Sequence, residues 1–278
     1  MLDLSIIYVS YNTRALTLAS IASVIEYTTR HSFEVIVVDN NSNDGSLAAV
    51  KAQFSQVITI QSGSNLGFGK ANNLGLKQAK GRYVLFLNTD TYLKEPAIDG
   101  LLDEMQKPVY QKVAVAGAKL TKPDGSYNIS SGLLPSFPHF IKGSIWKVFY
   151  PKSYYNNLPE RKLRIEEKPY QVDYVSGADF LVKKEILDQV GGFDPRFFLY
   201  NEETDLTQRI YQKFPDGVSM IFPKYEIVHI SQGSSNTTSE NKAFKWQQAK
   251  SRALYYRITH GKLAGFMYYL TTLKRLFT

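Results

Sequence analysis

The first 95 residues alternate short apolar runs with helical patterns, and this alternation constrains the fold more than any other feature. The apolar runs, typical of buried strands, lie at 4–9, 34–38, 57–60 and 83–87. Helical patterns fill 13–28, with Asn12 as predicted N-cap, and 69–79, with Gly81 as predicted C-cap. Such alternation predicts a parallel α/β sheet, in which ligands bind at the carboxyl ends of the strands.

Composition narrows the classes of protein that this chain can belong to. It has 278 residues, of which 44% are hydrophobic and 21% charged, so a disordered chain is excluded. It has no cysteine, which excludes disulfides, thiolate metal sites and cysteine nucleophiles. The net charge of +8 favours an anionic partner such as a nucleotide, a nucleic acid or an acidic membrane surface.

No stretch of the sequence reads as a membrane span or a signal peptide. The apolar runs are shorter than the roughly 18 to 20 residues that a spanning helix needs, and Asp3 stands where a signal peptide carries basic residues. We therefore expect a cytoplasmic protein, either free or at the inner face of the membrane.

The remainder of the chain is less regular. Residues 135–169 show no clear period, which predicts a long surface excursion. Further on, the patterns predict a strand at 174–182, a short helix ending at Gly191, a strand near 218–222 and helix beyond Asn241. We divide the chain into a domain at 1–240, whose residues 1–95 form a nucleotide-binding half, and a tail at 241–278.

The tail at 241–278 combines basic residues with an apolar stripe. Helical spacing relates Phe266, Tyr269, Leu270, Leu273 and Phe277. A basic amphipathic helix of this kind can lie on an anionic bilayer. Packing on the domain or on a second subunit fits the pattern about as well, so the oligomeric state, a homo-oligomer included, stays open.

Five polar patterns follow one another in a fixed order. They are IIYVSYN at 6–12, VVDNNSNDGS at 37–46, NLGFGKANNLG at 65–75, LFLNTD at 85–90 and GGFDPRFFLYNEETDL at 191–206. With His229 after them, they closely resemble the inverting family 2 glycosyltransferases of GT-A fold, and within these the bacterial dTDP-rhamnosyltransferases of cell-surface polysaccharide synthesis. The resemblance implies a mixed, mostly parallel Rossmann-like sheet flanked by helices, with an acceptor half at 96–240.

One strand end and one helix start carry candidate nucleotide contacts. Asp39 ends a buried strand, where its carboxylate can accept hydrogen bonds from a base or a ribose; an Asx-turn is the alternative. Asn65 and Gly67 open a helix, where backbone N–H groups can approach a ligand closely. The resemblance extends the predicted nucleotide-sugar set to Ser10, Tyr11, Asn12, Asp39, Asn65, Gly67, Asn88 and Asp90.

Asn88-Thr89-Asp90 stands where the family has Asp-x-Asp. Only one carboxylate is present, so Mg²⁺ or Mn²⁺ would be anchored by Asp90 alone, with diphosphate and water as further ligands. The resemblance assigns His229 as a second metal ligand or as a donor to the leaving diphosphate. The other histidines, His31, His139 and His260, match no family position.

The acidic cluster at 202–205 occupies the position of the family's Glu-Asp pair. The resemblance makes Glu203 the general base that takes the proton of the acceptor hydroxyl, with Glu202 as the alternative. Asp205 completes the predicted catalytic set. An acidic first turn that stabilises a helix N-terminus is the competing interpretation of these residues.

The resemblance implies transfer of L-rhamnose from dTDP-L-rhamnose to a hydroxyl of a lipid-linked glycan, with inversion. A UDP-sugar donor is the first alternative, and a non-catalytic polysaccharide- or nucleotide-binding module is the second. The turn at 10–14 lacks the glycines of an NAD enzyme or a sugar nucleotidyltransferase. No nucleic-acid partner is expected, because a nucleic-acid-binding module would explain the basic charge but not the acidic cluster at 202–205 paired with Asp90.

Overall fold

The structure is a computed structural model that describes residues 2–136, 166–231 and 242–277. Most of the predicted excursion at 135–169 therefore lies outside the described residues. The strands are β1 (Leu4–Ser10), β2 (Phe33–Asp39), β3 (Ile58–Gln61), β4 (Tyr83–Leu87), β5 (Thr91–Tyr92), β6 (Val113–Thr121), β7 (Ser131–Gly132), β8 (Tyr170–Val172), β9 (Tyr174–Val175), β10 (Asp179–Lys183) and β11 (Val218–His229). The α-helices are α1 (Arg14–Tyr27), α2 (Ser46–Gln53), α3 (Phe68–Leu76), α4 (Ala97–Met105), α5 (Lys184–Val190), α6 (Glu202–Lys213), α7 (Lys242–His260) and α8 (Lys262–Phe277).

Nine strands form one sheet in the order β3-β2-β1-β4-β10-β6-β11-β5, with β8 also paired to β11. The strands β3, β2, β1 and β4 are parallel, and β10 runs antiparallel between β4 and β6. Beyond β10, β11 is parallel to β6 and antiparallel to β5. The predicted mixed, mostly parallel sheet flanked by helices is confirmed.

The central strand β1 is buried on both faces, as expected for the middle of a parallel sheet. Leu4, Ile6 and Tyr8 pack into one apolar cluster, and Ile7 packs into the cluster on the opposite face. This alternation follows from the two-residue repeat of a strand. The short apolar runs of the sequence are therefore the interior of the sheet.

Two predicted helix caps are wrong. Thr13, and not Asn12, is the N-cap of α1, because Asn12 adopts left-handed backbone with φ of 54°. Helix α3 ends at Leu76, well before Gly81. The backbone of Gly81 instead packs against Leu4 of β1, where a side chain would collide.

Two predicted strands have different bounds in the structure. The strand at 174–182 is interrupted by a turn at 176–178, which separates β9 from β10. The strand predicted near 218–222 continues to His229, because a register shift between Phe222 and Glu226 lets β11 keep pairing with β6. The short helix α5 ends where predicted, with Gly191 as a left-handed C-cap.

The predicted helical tail forms two helices, α7 and α8, separated at Gly261, whose φ is 91°. Tyr255 and Ala249 of α7 are buried. The ring of Tyr269 packs on Trp246 of α7, with 5.5 Å between centroids, so Tyr269 is not part of an exposed stripe. Leu263, Phe266, Met267 and Leu270 of α8 are exposed. None of the described helices has the length and hydropathy that a bilayer span requires.

Candidate active site

A cleft of about 380 Å³ opens at the carboxyl ends of β1 and β4. Eight of the site residues predicted from the sequence line it, and these are Tyr11, Asn65, Gly67, Asn88, Asp90, Glu202, Glu203 and His229. Parallel strands end at one edge of a sheet, which is why residues far apart in the chain meet there.

Asn40 fixes the loop that leads into α3. Its amide nitrogen donates to Asn65 Oδ1 at 3.0 Å and to the Gly67 carbonyl at 3.3 Å, while its Oδ1 accepts from Leu66 N at 2.8 Å. Asn40 is buried and lines the cleft. Its role could not be predicted from the sequence, because an Asn in a polar loop has many possible partners.

Three residues of the predicted nucleotide-sugar set do not line the cleft. Asp39 is buried, and its Oδ1 accepts from Ser42 N at 2.9 Å, a local hydrogen bond in the loop after β2. The Ser10 hydroxyl lies 3.1 Å from that of Thr17 in the interior. Asn12 is exposed and faces the loop after β2, where its Oδ1 accepts from a backbone N–H.

Asn88, Asp90 and His229 form one side of the cleft, which we name the aspartate–histidine wall. Asp90 ends the turn after β4, and β5 pairs with β11 so that His229 is opposite Thr91. Oδ1 of Asp90 lies 3.3 Å from Nε2 of His229 without forming a hydrogen bond. The backbone reinforces this arrangement, since Ile230 N donates to the Asp90 carbonyl at 2.9 Å.

The aspartate–histidine wall fits a divalent cation. Asp90 Oδ1 is buried and has no hydrogen-bond partner within the described part of the chain, and the ring nitrogen that faces it is His229 Nε2. A carboxylate oxygen and an imidazole nitrogen suit Mg²⁺ or Mn²⁺. In the ranges that the structure describes, no third His, Asp or Glu joins them, so the remaining ligands would be diphosphate oxygens and water.

Glu202 and Glu203 also line the cleft, and we name this pair the glutamate wall. They begin α6, directly after Tyr200 and Asn201, which both adopt left-handed backbone with φ of 69° and 64°. Glu202 is buried, and its Oε2 finds no hydrogen-bond partner in the described residues. Glu203 is partly buried. A sharp, sterically disfavoured turn thus aims two acids into the cleft.

Burial controls the protonation of the glutamate wall. It raises the pKa of Glu202 well above the ordinary value, and the neighbouring charge of Glu203 raises that pKa further. Burial also raises the pKa of Glu203, an effect that the guanidinium of Arg252 opposes. Of the two acids, Glu203 therefore ionises more readily and is the better proton acceptor.

Asp205 does not line the cleft. Its Oδ2 accepts from Arg209 Nε at 2.8 Å. The other guanidinium nitrogens of Arg209 donate to the carbonyls of Val190 and Gly192, each at 2.8 Å. Asp205 thus orients an arginine that ties α6 to the end of α5.

Residues 198–200 contribute a part of the cleft that could not be predicted from the sequence. Phe68 N donates to the Phe198 carbonyl at 2.8 Å, and the left-handed Gly67 passes so close to that carbonyl that a side chain there would collide with it. Phe198 and Tyr11 are both 42% exposed, so two aromatic rings are available at the mouth of the cleft. No local pattern could reveal a contact between segments 130 residues apart.

Known proteins resemble this chain in sequence and in fold. The N-acetylglucosaminyl-diphospho-decaprenol L-rhamnosyltransferase of Mycobacterium tuberculosis is 29% identical over 215 residues, covering 72% of this chain and 67% of that protein. The rhamnosyltransferase WbbL of Escherichia coli K12 is 25% identical over 224 residues, covering 77% and 78%. A crystal structure of GalNAc-T7 with UDP, GalNAc and Mn²⁺ superposes with a TM-score of 0.62 at 15% identity, over 99% of this chain and 56% of that one.

The structural likeness supports the GT-A fold predicted from the sequence, although this chain spans only a little over half of that longer protein. A family model described as glycosyl transferase family 2 matches residues 5–191, well over half of the chain. The match includes the aspartate of the aspartate–histidine wall and ends before the glutamate wall. From this match and the cleft at the strand ends, we conclude that the chain belongs to glycosyl transferase family 2.

Proposed function

We propose that this glycosyltransferase moves L-rhamnose from dTDP-L-rhamnose to a hydroxyl of a lipid-linked glycan, in the synthesis of a cell-wall or surface polysaccharide. The proposal is carried by the observation that one cleft is lined by Asp90 and His229 and also by Glu202 and Glu203. The names of the two relatives support rhamnose as the sugar and, for the mycobacterial protein, a diphospho-decaprenol acceptor.

In the proposed reaction, Glu203 takes the proton of the acceptor hydroxyl. The acceptor oxygen bonds to the anomeric carbon as the bond from that carbon to the diphosphate oxygen breaks, and the nucleoside diphosphate leaves with the electron pair. One such displacement inverts the anomeric centre, and no covalent enzyme intermediate is needed. A carboxylate is a suitable base because it can approach the hydroxyl within about 2.6 to 3.2 Å.

The aspartate–histidine wall would receive the diphosphate. Asp90 and His229 would hold Mg²⁺ or Mn²⁺, which, when bound, offsets negative charge on the departing nucleoside diphosphate. Asn88 adds a polar contact without adding charge. We assign the nucleoside to the neighbouring part of the cleft, which is lined by Asn65 and by the exposed ring of Tyr11.

A donor screen tests the proposed function directly. Release of nucleoside diphosphate is measured with dTDP-L-rhamnose and with UDP-glucose, UDP-galactose and UDP-N-acetylglucosamine, each with and without Mg²⁺ or Mn²⁺. We expect metal-dependent release from dTDP-L-rhamnose, and release at least about 100-fold slower from the same protein carrying Glu203→Gln. If only a UDP-sugar releases its nucleoside diphosphate, that sugar nucleotide is the donor and dTDP-L-rhamnose is not. If no donor does so, a non-catalytic binding module is favoured.

We also propose that the exposed face of α8 rests on an anionic membrane, where a lipid-linked acceptor is found. Residues 241–278 hold eight of the 33 Lys and Arg residues and none of the 25 Asp and Glu residues, so this segment carries the whole net charge of +8. The exposed apolar residues of α8 are Leu263, Phe266, Met267 and Leu270, spaced as one helix face. Cations near an anionic leaflet contribute about 1 kcal/mol each at low salt.

Co-sedimentation with vesicles tests the membrane proposal. Full-length protein should bind phosphatidylglycerol vesicles at low salt and bind phosphatidylcholine vesicles at least about tenfold less. Leu263→Ser with Phe266→Ser should abolish binding. Val109→Ser is a matched control, because Val109 is 78% exposed outside the tail. If the double variant alters the dimer content of the protein and not its vesicle binding, α8 packs on a second copy and the membrane proposal is wrong.

A further inference from the structure

The loop before the glutamate wall is strained and must be held from outside. Tyr200 and Asn201 are consecutive non-glycine residues in left-handed backbone, a conformation that persists only where the surroundings stabilise it. One support comes from α3, through the hydrogen bond from Phe68 N to the Phe198 carbonyl. That bond fixes the loop at Phe198. A further contact is needed to hold Tyr200 and Asn201 in place.

The second support comes from α7, in the C-terminal segment. The Ser251 hydroxyl donates to the carbonyl of Leu199 at 2.6 Å, and Ser251 is only 2% exposed. Leu199 lines the cleft and directly precedes the strained pair. Ala249 and Tyr255 are buried on either side of Ser251, so α7 is seated firmly where this hydrogen bond forms.

Arg252, the next residue of α7, brings a positive charge to the glutamate wall. Its guanidinium lowers the pKa of Glu203, which burial raises, and it acts in the same direction on Tyr174 of β9. The other titratable groups that face Glu203 are Glu202, Tyr174 and Tyr200. In the described part of the chain, Arg252 is the cation that acts on this acid.

We propose that α7 positions the glutamate wall. The hydrogen bond from Ser251 fixes the backbone of the loop, and the same seating of α7 brings Arg252, the next residue, to this wall. Both are positioning residues, and the proposal rests on Glu203 being the base of the proposed function. The family match ends at residue 191, so this role belongs to a segment that the match does not reach. The tail is then part of the active site as well as the bearer of the net charge.

Arg252→Gln tests the counter-charge. We expect the acidic limb of the pH profile of kcat/KM to move upward by about one pH unit, because Glu203 loses the charge that stabilises its ionised form. Arg252→Lys should restore the limb. Arg257→Gln is the matched control, since Arg257 lies on the same helix and is exposed. A limb that stays in place in a folded Arg252→Gln protein overturns this part of the proposal.

Ser251→Ala tests the backbone support. We expect kcat to fall about tenfold while KM for the donor stays within about twofold, because the glutamates lose their position and the donor contacts remain. Thermal melting is measured in parallel. An unchanged kcat, or a fall in kcat explained by unfolding at the assay temperature, overturns the role of Ser251.

Glu203→Gln separates failure of this proposal from failure of the proposed function. If Glu203→Gln keeps full turnover, the assignment of the base is wrong, whatever the α7 variants do. If Glu203→Gln loses turnover while Arg252→Gln and Ser251→Ala behave like Arg257→Gln, the assignment of Glu203 as the base stands. The proposal that α7 positions the glutamate wall is then wrong.

Discussion

The two walls of the cleft are built in different ways. Asp90 and His229 are set by strand pairing, since the turn after β4 and the end of β11 meet through β5. Glu202 and Glu203 are set by a loop with two left-handed residues, held by α3 on one side and α7 on the other. A wall fixed by a sheet tolerates change nearby, whereas a wall fixed by a few side-chain contacts depends on each of them.

The largest expected effect is at the aspartate–histidine wall. Asp90→Ala removes its only carboxylate, so we expect turnover to fall by at least about 10³-fold. Asp188→Ala is the control, because Asp188 is exposed and pairs with Lys184 on α5. Circular dichroism should show both variants folded. Turnover close to the unmodified level in folded Asp90→Ala would remove Asp90 from the mechanism.

At the glutamate wall, Glu203→Gln keeps size but cannot accept a proton. We expect kcat to fall about 10² to 10⁴-fold, with donor KM little changed. Glu202→Gln should cost much less, because burial already favours the protonated form of Glu202. Steady-state kinetics of both variants decide the point, and the reverse order of losses would make Glu202 the base.

Asn88→Asp sharpens the comparison by adding charge to the aspartate–histidine wall alone. A second carboxylate there should strengthen binding of a divalent cation, so the Mg²⁺ or Mn²⁺ concentration for half-maximal turnover should fall by about tenfold. A metal titration of turnover measures this. Loss of the metal response would mean that the side chain at position 88 does not face the cation.

The pH dependence of the unmodified enzyme reports on the glutamate wall. Glu203 acts only when ionised, and burial raises its pKa, so activity should appear at higher pH than an ordinary glutamic acid with pKa of about 4.3 would allow. The acidic limb of kcat/KM against pH locates this pKa. A limb at or below the ordinary value would show that Glu203 is not the group that titrates.

The smallest effect is expected at Asp179, which belongs to neither wall. It is fully buried on β10, where burial raises its pKa well above the ordinary value, and its Oδ2 accepts from Ala118 N at 2.6 Å. The folded protein therefore binds a proton that the unfolded chain releases, so stability falls as pH rises above the ordinary pKa of Asp. Asp179→Asn should raise the free energy of unfolding at pH 7 by about 1 kcal/mol.

Denaturant unfolding of Asp179→Asn at pH 5 and pH 7 checks this sign. The gain should be larger at pH 7, and turnover should be unchanged. Asp179→Ala should lose stability at both pH values, because it leaves Ala118 N without a partner. A gain that is independent of pH would contradict a protonated Asp179.

Much of the sheet could be predicted from the sequence, because buried strands are short local patterns; β4 has the predicted bounds. Asn88 and Asp90 follow directly after β4, so their place at the edge of the sheet could also be predicted, and both line the cleft. The glutamates could be placed only by resemblance. Phe68 and Ser251 support them through hydrogen bonds to the loop before α6. These bonds join distant segments, so no local pattern reveals them.

The differences between the structure and the sequence-based expectations share a physical cause. Asn12 and Asp205 are residue types that suit many roles, and tertiary contacts decided among them. Asn12 turned the chain instead of capping α1, and Asp205 paired with Arg209 instead of entering the cleft. The end of β11 was missed because a register shift, which depends on β6, carries the strand on to His229.

The position of β10 between β4 and β6 has a consequence for synthesis of the chain. During translation β4 and β6 both emerge before β10, so β4 has an unpaired edge until about residue 183 has left the ribosome. Unpaired edges recruit other strands. We therefore expect nascent chains that stall before β10 to aggregate more readily than chains that contain it, because β10 completes the middle of the sheet.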